Sequence, residues 1–122
     1  MLNWGAPVPA GHPLAVRYPH RYTEPVLPEA DVPGITKVLL DLHERTAALL
    51  RRFLRVIALG LGAGEGLFES ATSDAPDLTR AIHYPAMQLS PGEGHVWAAE
   101  HGDINLITAL PRATARGLQV LT

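Results

Sequence analysis

One apolar stripe constrains the fold of this chain more than any other feature of its sequence. Between residues 35 and 57, apolar side chains recur at three- and four-residue steps, which is the spacing of one face of an α-helix. The stripe consists of Ile35, Val38, Leu39, Leu42, Leu49, Leu50, Phe53, Val56 and Ile57. It predicts a helix over 34–60 that begins near Pro33 and is ended by Gly60 and Gly62. We interpret this helix as the backing of a sheet. The alternative is that the helix binds a partner or a membrane surface. The mixed charge on the face opposite the stripe argues against this alternative.

The first quarter of the chain is rich in proline. The prolines are Pro7, Pro9, Pro13, Pro19, Pro25, Pro28 and Pro33. Because proline lacks a backbone donor and fixes φ, it disfavours both helix interiors and central strands. We therefore expect 1–33 to be an extended, irregular segment that lies across another surface instead of forming its own core.

From residue 78 onward the pattern becomes that of β-strands. Alternating side chains predict a first strand over 78–84 that is ended by Pro85. Three further short strands are predicted over 96–99, 104–110 and 118–121, and a turn over 90–94 separates the first two. Four short strands behind one long helix indicate an α+β fold class. Since a chain of this length suffices for one hydrophobic core, we predict a single domain over 1–122.

The composition excludes several classes of function. Ten basic and twelve acidic residues give a formal net charge of -2, so we expect no electrostatic binding of nucleic acid or of an anionic membrane. The chain has no cysteine, which excludes disulfides and thiolate chemistry. Residues 1–15 show no secretory signal, and no apolar run is long enough to span a bilayer. We therefore expect a cytoplasmic protein.

A histidine and an aspartate two residues apart form the strongest candidate site. In an extended backbone alternate side chains share a face, so His101 and Asp103 point the same way, with Asn105 behind them. One imidazole nitrogen and one carboxylate oxygen suit a divalent first-row metal. A second histidine would complete the 2-His-1-carboxylate triad of non-haem iron(II) oxygenases. The spacing alone also fits a solvated loop before a strand.

Further motifs accompany this pair along the chain. They are Arg80-Ala81-Ile82-His83-Tyr84-Pro85, Glu100-His101-Gly102-Asp103-Ile104-Asn105-Leu106-Ile107-Thr108 and Gly117-Leu118-Gln119-Val120, preceded by Asn3-Trp4-Gly5, Val32-Pro33-Gly34, Ile57-Ala58-Leu59-Gly60-Leu61-Gly62 and Leu67-Phe68. In order and approximate spacing they resemble the central portion of the isopenicillin N synthase-like branch of the iron(II)/2-oxoglutarate-dependent dioxygenases. The resemblance covers nearly the whole chain. It implies a long helix backing a partial double-stranded β-helix, or jelly roll, to which 78–122 contributes the strands.

The resemblance also implies roles for four residues. His101 and Asp103 would be ligands of Fe(II). Tyr84 matches the tyrosine before a proline that reaches the carboxylate of the co-substrate or substrate in relatives, and Asn105 would contact the same molecules from the ligand face. The implied reaction is the hydroxylation, or a related C–H oxidation, of a small-molecule substrate with 2-oxoglutarate as co-substrate.

Two parts of the family pattern have no counterpart in this sequence. They are the second metal-binding histidine and the Arg-x-Ser segment that grips 2-oxoglutarate. We therefore expect an incomplete dioxygenase domain that self-associates, is completed by another chain or is unstable alone. The alternative, from another functional class, is a non-catalytic dioxygenase-like module. The sequence leaves open whether 2-oxoglutarate is used and does not identify the substrate.

Overall fold

The secondary structure of the chain is arranged around one long helix. The computed structural model describes residues 1–9, 11–73, 75–85, 98–114 and 116. In chain order the elements are β1 (Leu2–Trp4), α1 (Pro13–Arg17), α2 (Ile35–Gly60), α3 (Leu67–Thr72) and β2 (Thr79–Ala81). Helix α2 thus occupies the range in which the apolar stripe predicts a helix.

The N-terminus of α2 is capped by a carboxylate from the preceding segment. Gly34, with a left-handed φ of 86°, precedes the first helical residue. Glu29 accepts hydrogen bonds from the backbone N–H of Gly34 at 2.6 Å and of Thr36 at 2.9 Å. The first N–H groups of a helix have no partner inside it, and a negative charge suits the positive end of the helix dipole. Glu29 therefore fixes where α2 begins.

The C-terminus of α2 ends in a glycine-dependent turn. Gly62 has a left-handed φ of 70° and donates its N–H to Leu59, while Ala63 donates to Ala58 at 2.9 Å. These two bonds form a Schellman motif, which satisfies the last carbonyl groups of the helix. Gly60 and Gly62 are both predicted to end the helix. Gly60 is still helical, and of the two it is Gly62 that adopts the left-handed conformation at the helix end.

Strands β1 and β2 form a two-stranded antiparallel sheet that docks on α2. Trp4 lies opposite Thr79, so the two side chains project from the same face of the sheet. The indole Nε1 of Trp4 donates to the carbonyl oxygen of Leu39 at 2.8 Å, and Thr79 Oγ1 is hydrogen-bonded to His43 Nδ1 at 2.7 Å. Because residues four apart are neighbours on a helix, the sheet is fixed to two adjacent turns of α2.

The core of the described part of the chain is small. Its buried side chains are Trp4, Leu54, Ala58 and the polar His43. Leu54 and Phe68 line the narrow space between α2 and α3. An ion pair joins Arg55 to Glu69 at 3.2 Å on the surface of the same two helices. Because both side chains are about half exposed, this pair contributes little to stability, and burial of the apolar residues holds α3 in place.

Segment 1–33 is mostly irregular, as its proline content predicts, but it contains β1 and α1. Pro13 occupies the first turn of α1, where its missing N–H has no helical partner to lose. His12 Nδ1 accepts a hydrogen bond from the backbone N–H of Leu14 at 3.3 Å and caps this helix. Neither element was predicted, because α1 is only five residues long and the partner of β1 is 77 residues away in sequence.

The structure corrects two of the predicted strands. Over 78–84 only Thr79–Ala81 is a strand, since β1 offers a partner of just three residues. Residues 104–110 form no strand, and Ile104 is fully exposed. No other segment of the described ranges pairs with this run, and strand backbone groups require such a partner. The predicted turn over 90–94 and strand over 118–121 lie outside the described residues, as does half of the strand over 96–99. The jelly roll therefore stays a prediction.

Part of the apolar stripe of α2 stays exposed, because the sheet docks on the face that carries Leu39 and His43. The exposed side chains include Val38, Leu42, Leu49, Phe53 and Val56. Among the described residues, no helix combines the length with the apolar character that crossing a bilayer requires.

Candidate metal centre

Side-chain hydrogen bonds, and not a strand ladder, shape the loop that carries the candidate site. Thr108 Oγ1 donates to Asp103 Oδ2 at 2.8 Å, and Asn105 Nδ2 donates to Thr108 Oγ1 at 3.3 Å. Aspartate, asparagine and threonine readily form such local bonds, which compete with regular secondary structure. They close a tight loop over 103–108 and give the Asp103 carboxylate a defined orientation.

The imidazole of His101 is oriented by the backbone. Its Nδ1 lies 2.8 Å from the carbonyl oxygen of Ala99. Because a carbonyl oxygen only accepts, Nδ1 carries the proton in this bond. In the neutral ring Nε2 then keeps the lone pair with which a histidine binds a metal ion. Metal-bound histidines commonly hold their second ring nitrogen with a carbonyl in this way.

The predicted ligand atoms of the two residues, His101 Nε2 and Asp103 Oδ1, face each other. His101 Nε2 lies 3.8 Å from Asp103 Oδ1, and both side chains are more than half exposed. With Nε2 unprotonated, both atoms are hydrogen-bond acceptors, so a cation between them would satisfy both. Since histidine nitrogens and carboxylate oxygens lie about 2.0–2.2 Å from a zinc ion, two donors at this separation are within reach of one ion of similar size. The two side chains thus lie side by side, but a loop and not the expected strand places them there, and their role as metal ligands stays a prediction.

The donor set fits a 2-His-1-carboxylate site in part. Nitrogen and carboxylate donors of this kind suit iron(II). Within residues 1–9, 11–73, 75–85, 98–114 and 116, however, no third histidine, aspartate or glutamate joins them to make a group of three. Two residues that are predicted to be ligands of the triad thus lie close together in the described part of the chain.

The two residues predicted to contact the co-substrate lie in different segments. Tyr84 follows the end of β2 by three residues, and 47% of its surface is exposed. Asn105 lies beside the carboxylate of Asp103, to which it is connected through the Thr108 hydroxyl. Contact of either residue with a co-substrate stays a prediction.

A concavity elsewhere on the surface is not part of this site. It has a volume of about 690 Å³ and is lined by Glu29, Gly34, Thr36, Lys37, Leu40, Asp41 and Glu44. It runs along the first turns of α2 and includes none of the four predicted site residues. Since Glu29 is engaged there in capping α2, we interpret the concavity as a consequence of how the helix begins.

Sequence reasoning missed two contributors to the site, Ala99 and Thr108. Ala99 acts through its backbone carbonyl, which no side-chain motif reveals. Thr108 falls within the strand predicted over 104–110, although a threonine shortly after Asp103 and Asn105 is a pattern from which a loop closed by side-chain hydrogen bonds can be inferred. The strand assignment concealed this signal.

The geometry of the loop is the main support for the site, because similarity adds none. The chain matches no protein-family model, no curated protein and no solved structure.

Proposed function

We propose that this chain is the central part of a non-haem iron(II)/2-oxoglutarate-dependent dioxygenase that oxidises a C–H bond of a small molecule. The observation that supports this most directly is the 3.8 Å separation of His101 Nε2 from Asp103 Oδ1. Each of these side chains is oriented by a hydrogen bond through its other polar atom.

In this proposal each residue has a limited task. His101 and Asp103 bind the ion, and the Ala99 carbonyl keeps the His101 proton on Nδ1. When bound, iron(II) with 2-oxoglutarate supplies the activation of dioxygen for C–H oxidation. The Tyr84 phenol supplies one directed donor for a carboxylate of the co-substrate or substrate, and the Asn105 amide contacts the same molecules. The proposal includes a cytoplasmic location and a third ligand from outside the described residues, supplied by this chain or by a complementing copy or partner.

Metal binding tests the proposal directly. We expect the chain to bind one equivalent of iron(II) in an anaerobic calorimetric titration, and we expect His101→Ala and Asp103→Ala to abolish this binding. His20→Ala is the matched control, since His20 is an exposed histidine in the proline-rich segment. Absence of iron(II) binding by the wild-type chain, both alone and together with a complementing chain, overturns the proposal.

Turnover separates the enzyme from the non-catalytic module. With iron(II), ascorbate and 2-oxoglutarate, we expect oxygen uptake and succinate release that His101→Ala eliminates. Metal binding without succinate release, also in the presence of a complementing chain, would favour the module.

A further inference from the structure

The Thr108 hydroxyl lies at the centre of the hydrogen bonds that hold Asp103. It donates to Asp103 Oδ2 at 2.8 Å and accepts from Asn105 Nδ2 at 3.3 Å. A hydroxyl has one proton, and the carboxylate can only accept, so the direction of both bonds is fixed. Two donors in series therefore point towards the carboxylate, and each bond polarises the next.

The two oxygen atoms of the Asp103 carboxylate have different neighbours. Oδ2 is occupied by the Thr108 hydroxyl, whereas Oδ1 faces His101 Nε2 at 3.8 Å. The Asp103 side chain is 54% exposed, so burial does not restrict its rotation. In the described part of the chain its orientation depends on the Thr108 bond and on the approach of His101.

We infer that Thr108 is a positioning residue that presents a single oxygen of Asp103 to the metal ion, with Asn105 as the residue that directs the Thr108 hydroxyl. This inference rests on the proposed function, because it presupposes that His101 and Asp103 bind a metal. It gives Asn105 a task within the loop in addition to its predicted contact with the co-substrate. Partners of this kind, which hold a ligand without touching the metal, typically change metal affinity about 10–100-fold when they are removed.

The test is a calorimetric titration with Mn(II), an air-stable stand-in for iron(II). Thr108→Val keeps the shape of the side chain but removes the hydroxyl, and we expect it to weaken Mn(II) binding about tenfold. Thr108→Ser returns the hydroxyl and is expected to restore the affinity. Thr46→Val is the matched control, since the Thr46 hydroxyl donates to the carbonyl oxygen of Leu42 on an exposed part of α2, away from the candidate site. Amide spectra of the metal-free variants establish that the fold outside 98–108 is unchanged.

Each result has one meaning. One possible result is that the Thr108→Val chain binds Mn(II) as tightly as wild type while His101→Ala abolishes the binding. This result overturns the role of Thr108 but leaves the metal site intact. Failure of Thr108→Ser to restore the affinity also overturns it, because the hydroxyl is then not the active group. If the wild-type chain binds no Mn(II), either alone or with a complementing chain, the proposed metal site itself fails, and the role of Thr108 fails with it.

Discussion

The Nδ1 atom of His43 lies 2.7 Å from the hydroxyl oxygen of Thr79, across the contact between α2 and β2. His43 is 5% exposed, and it is the one polar side chain among the buried residues of the described ranges. A buried polar group is costly unless it is hydrogen-bonded, so this bond favours the packing of β2 against the helix. It also fixes the strand that leads into Tyr84.

Removal of the Thr79 hydroxyl is expected to destabilise the chain. Thr79→Val leaves His43 Nδ1 without its partner, which costs about 1–3 kcal/mol in the free energy of unfolding. Thr79→Ser keeps the hydroxyl and is expected to cost less. In the double variant His43→Leu/Thr79→Val both polar groups are absent, so we expect much of the loss to be recovered. Urea unfolding of the four chains measures this, and equal stabilities of wild type and Thr79→Val would contradict the assigned hydrogen bond.

The Trp4 side chain is expected to be the largest single contributor to sheet docking. Trp4 is 3% exposed and donates to the carbonyl oxygen of Leu39. Trp4→Phe loses the indole N–H and should cost about 0.5–1.5 kcal/mol from the hydrogen bond, while Trp4→Ala should cost about 3–5 kcal/mol. Val26→Ala is the control, because Val26 is 91% exposed and its truncation should change stability by less than about 0.5 kcal/mol. A small effect of Trp4→Ala in thermal unfolding would show that β1 does not depend on this contact.

Local periodicity was sufficient to predict α2 but not the sheet that packs on it. The helix follows from side chains three and four residues apart, so its evidence lies within a short window of sequence. Docking of the sheet depends on Trp4 reaching Leu39, 35 residues away. Within the sheet, β1 is joined to β2 by contacts such as the hydrogen bond that Asn3 accepts from Arg80, 77 residues away. No periodic pattern encodes a contact over such distances, and strands as short as β1 carry too little alternation to be recognised alone.

The sequence predicts which residues make up the candidate site but not the backbone conformation that carries them. Alternation in a strand predicts that His101 lies beside Asp103, and the two side chains are 3.8 Å apart in the structure. The structure reaches the same arrangement through the bonds from Thr108 to Asp103 and from His101 to the Ala99 carbonyl. Propensity favours a strand for the apolar run after Asn105, but a strand requires a pairing partner, and side-chain bonds within the loop satisfy the polar groups without one.

Two glycines are expected to respond in opposite directions to the same substitution. An added Cβ at Gly5 would lie 2.6 Å from the carbonyl oxygen of Asp77, so Gly5→Ala forces the backbone beside β1 and β2 apart and should cost about 1–3 kcal/mol. At Gly60, within the last turn of α2, nothing lies within 4 Å of that position. Gly60→Ala should therefore stabilise the chain by about 0.5–1 kcal/mol through helix propensity. Thermal unfolding compares the two variants, and a neutral Gly5→Ala would exclude the close approach of these two segments.

The cap that Glu29 provides for α2 is expected to make stability depend on acid pH. Hydrogen bonds from the Thr36 side chain, then from the backbone N–H of Gly34 and of Thr36, hold the pKa of Glu29 below its ordinary value. Because the folded state favours the ionised carboxylate, this stabilisation is complete above the unfolded pKa of about 4.3 and is lost as the pH falls through the lower pKa of the folded chain. Glu29→Gln should lower the unfolding temperature at neutral pH and have a diminishing effect below about pH 4.

The control for this pH dependence is Glu24→Gln, a neutralisation of an exposed glutamate in the same segment. It removes the same charge without removing a helix cap, so the unfolding temperature at neutral pH should change little. Circular dichroism melting curves of the three chains between neutral and acid pH provide the measurement. If Glu29→Gln and Glu24→Gln lower the unfolding temperature equally at neutral pH, the effect belongs to net charge and not to the cap. A Glu29→Gln difference that grows as the pH falls would contradict the lowered pKa, because protonation of the wild-type carboxyl must bring the two chains together.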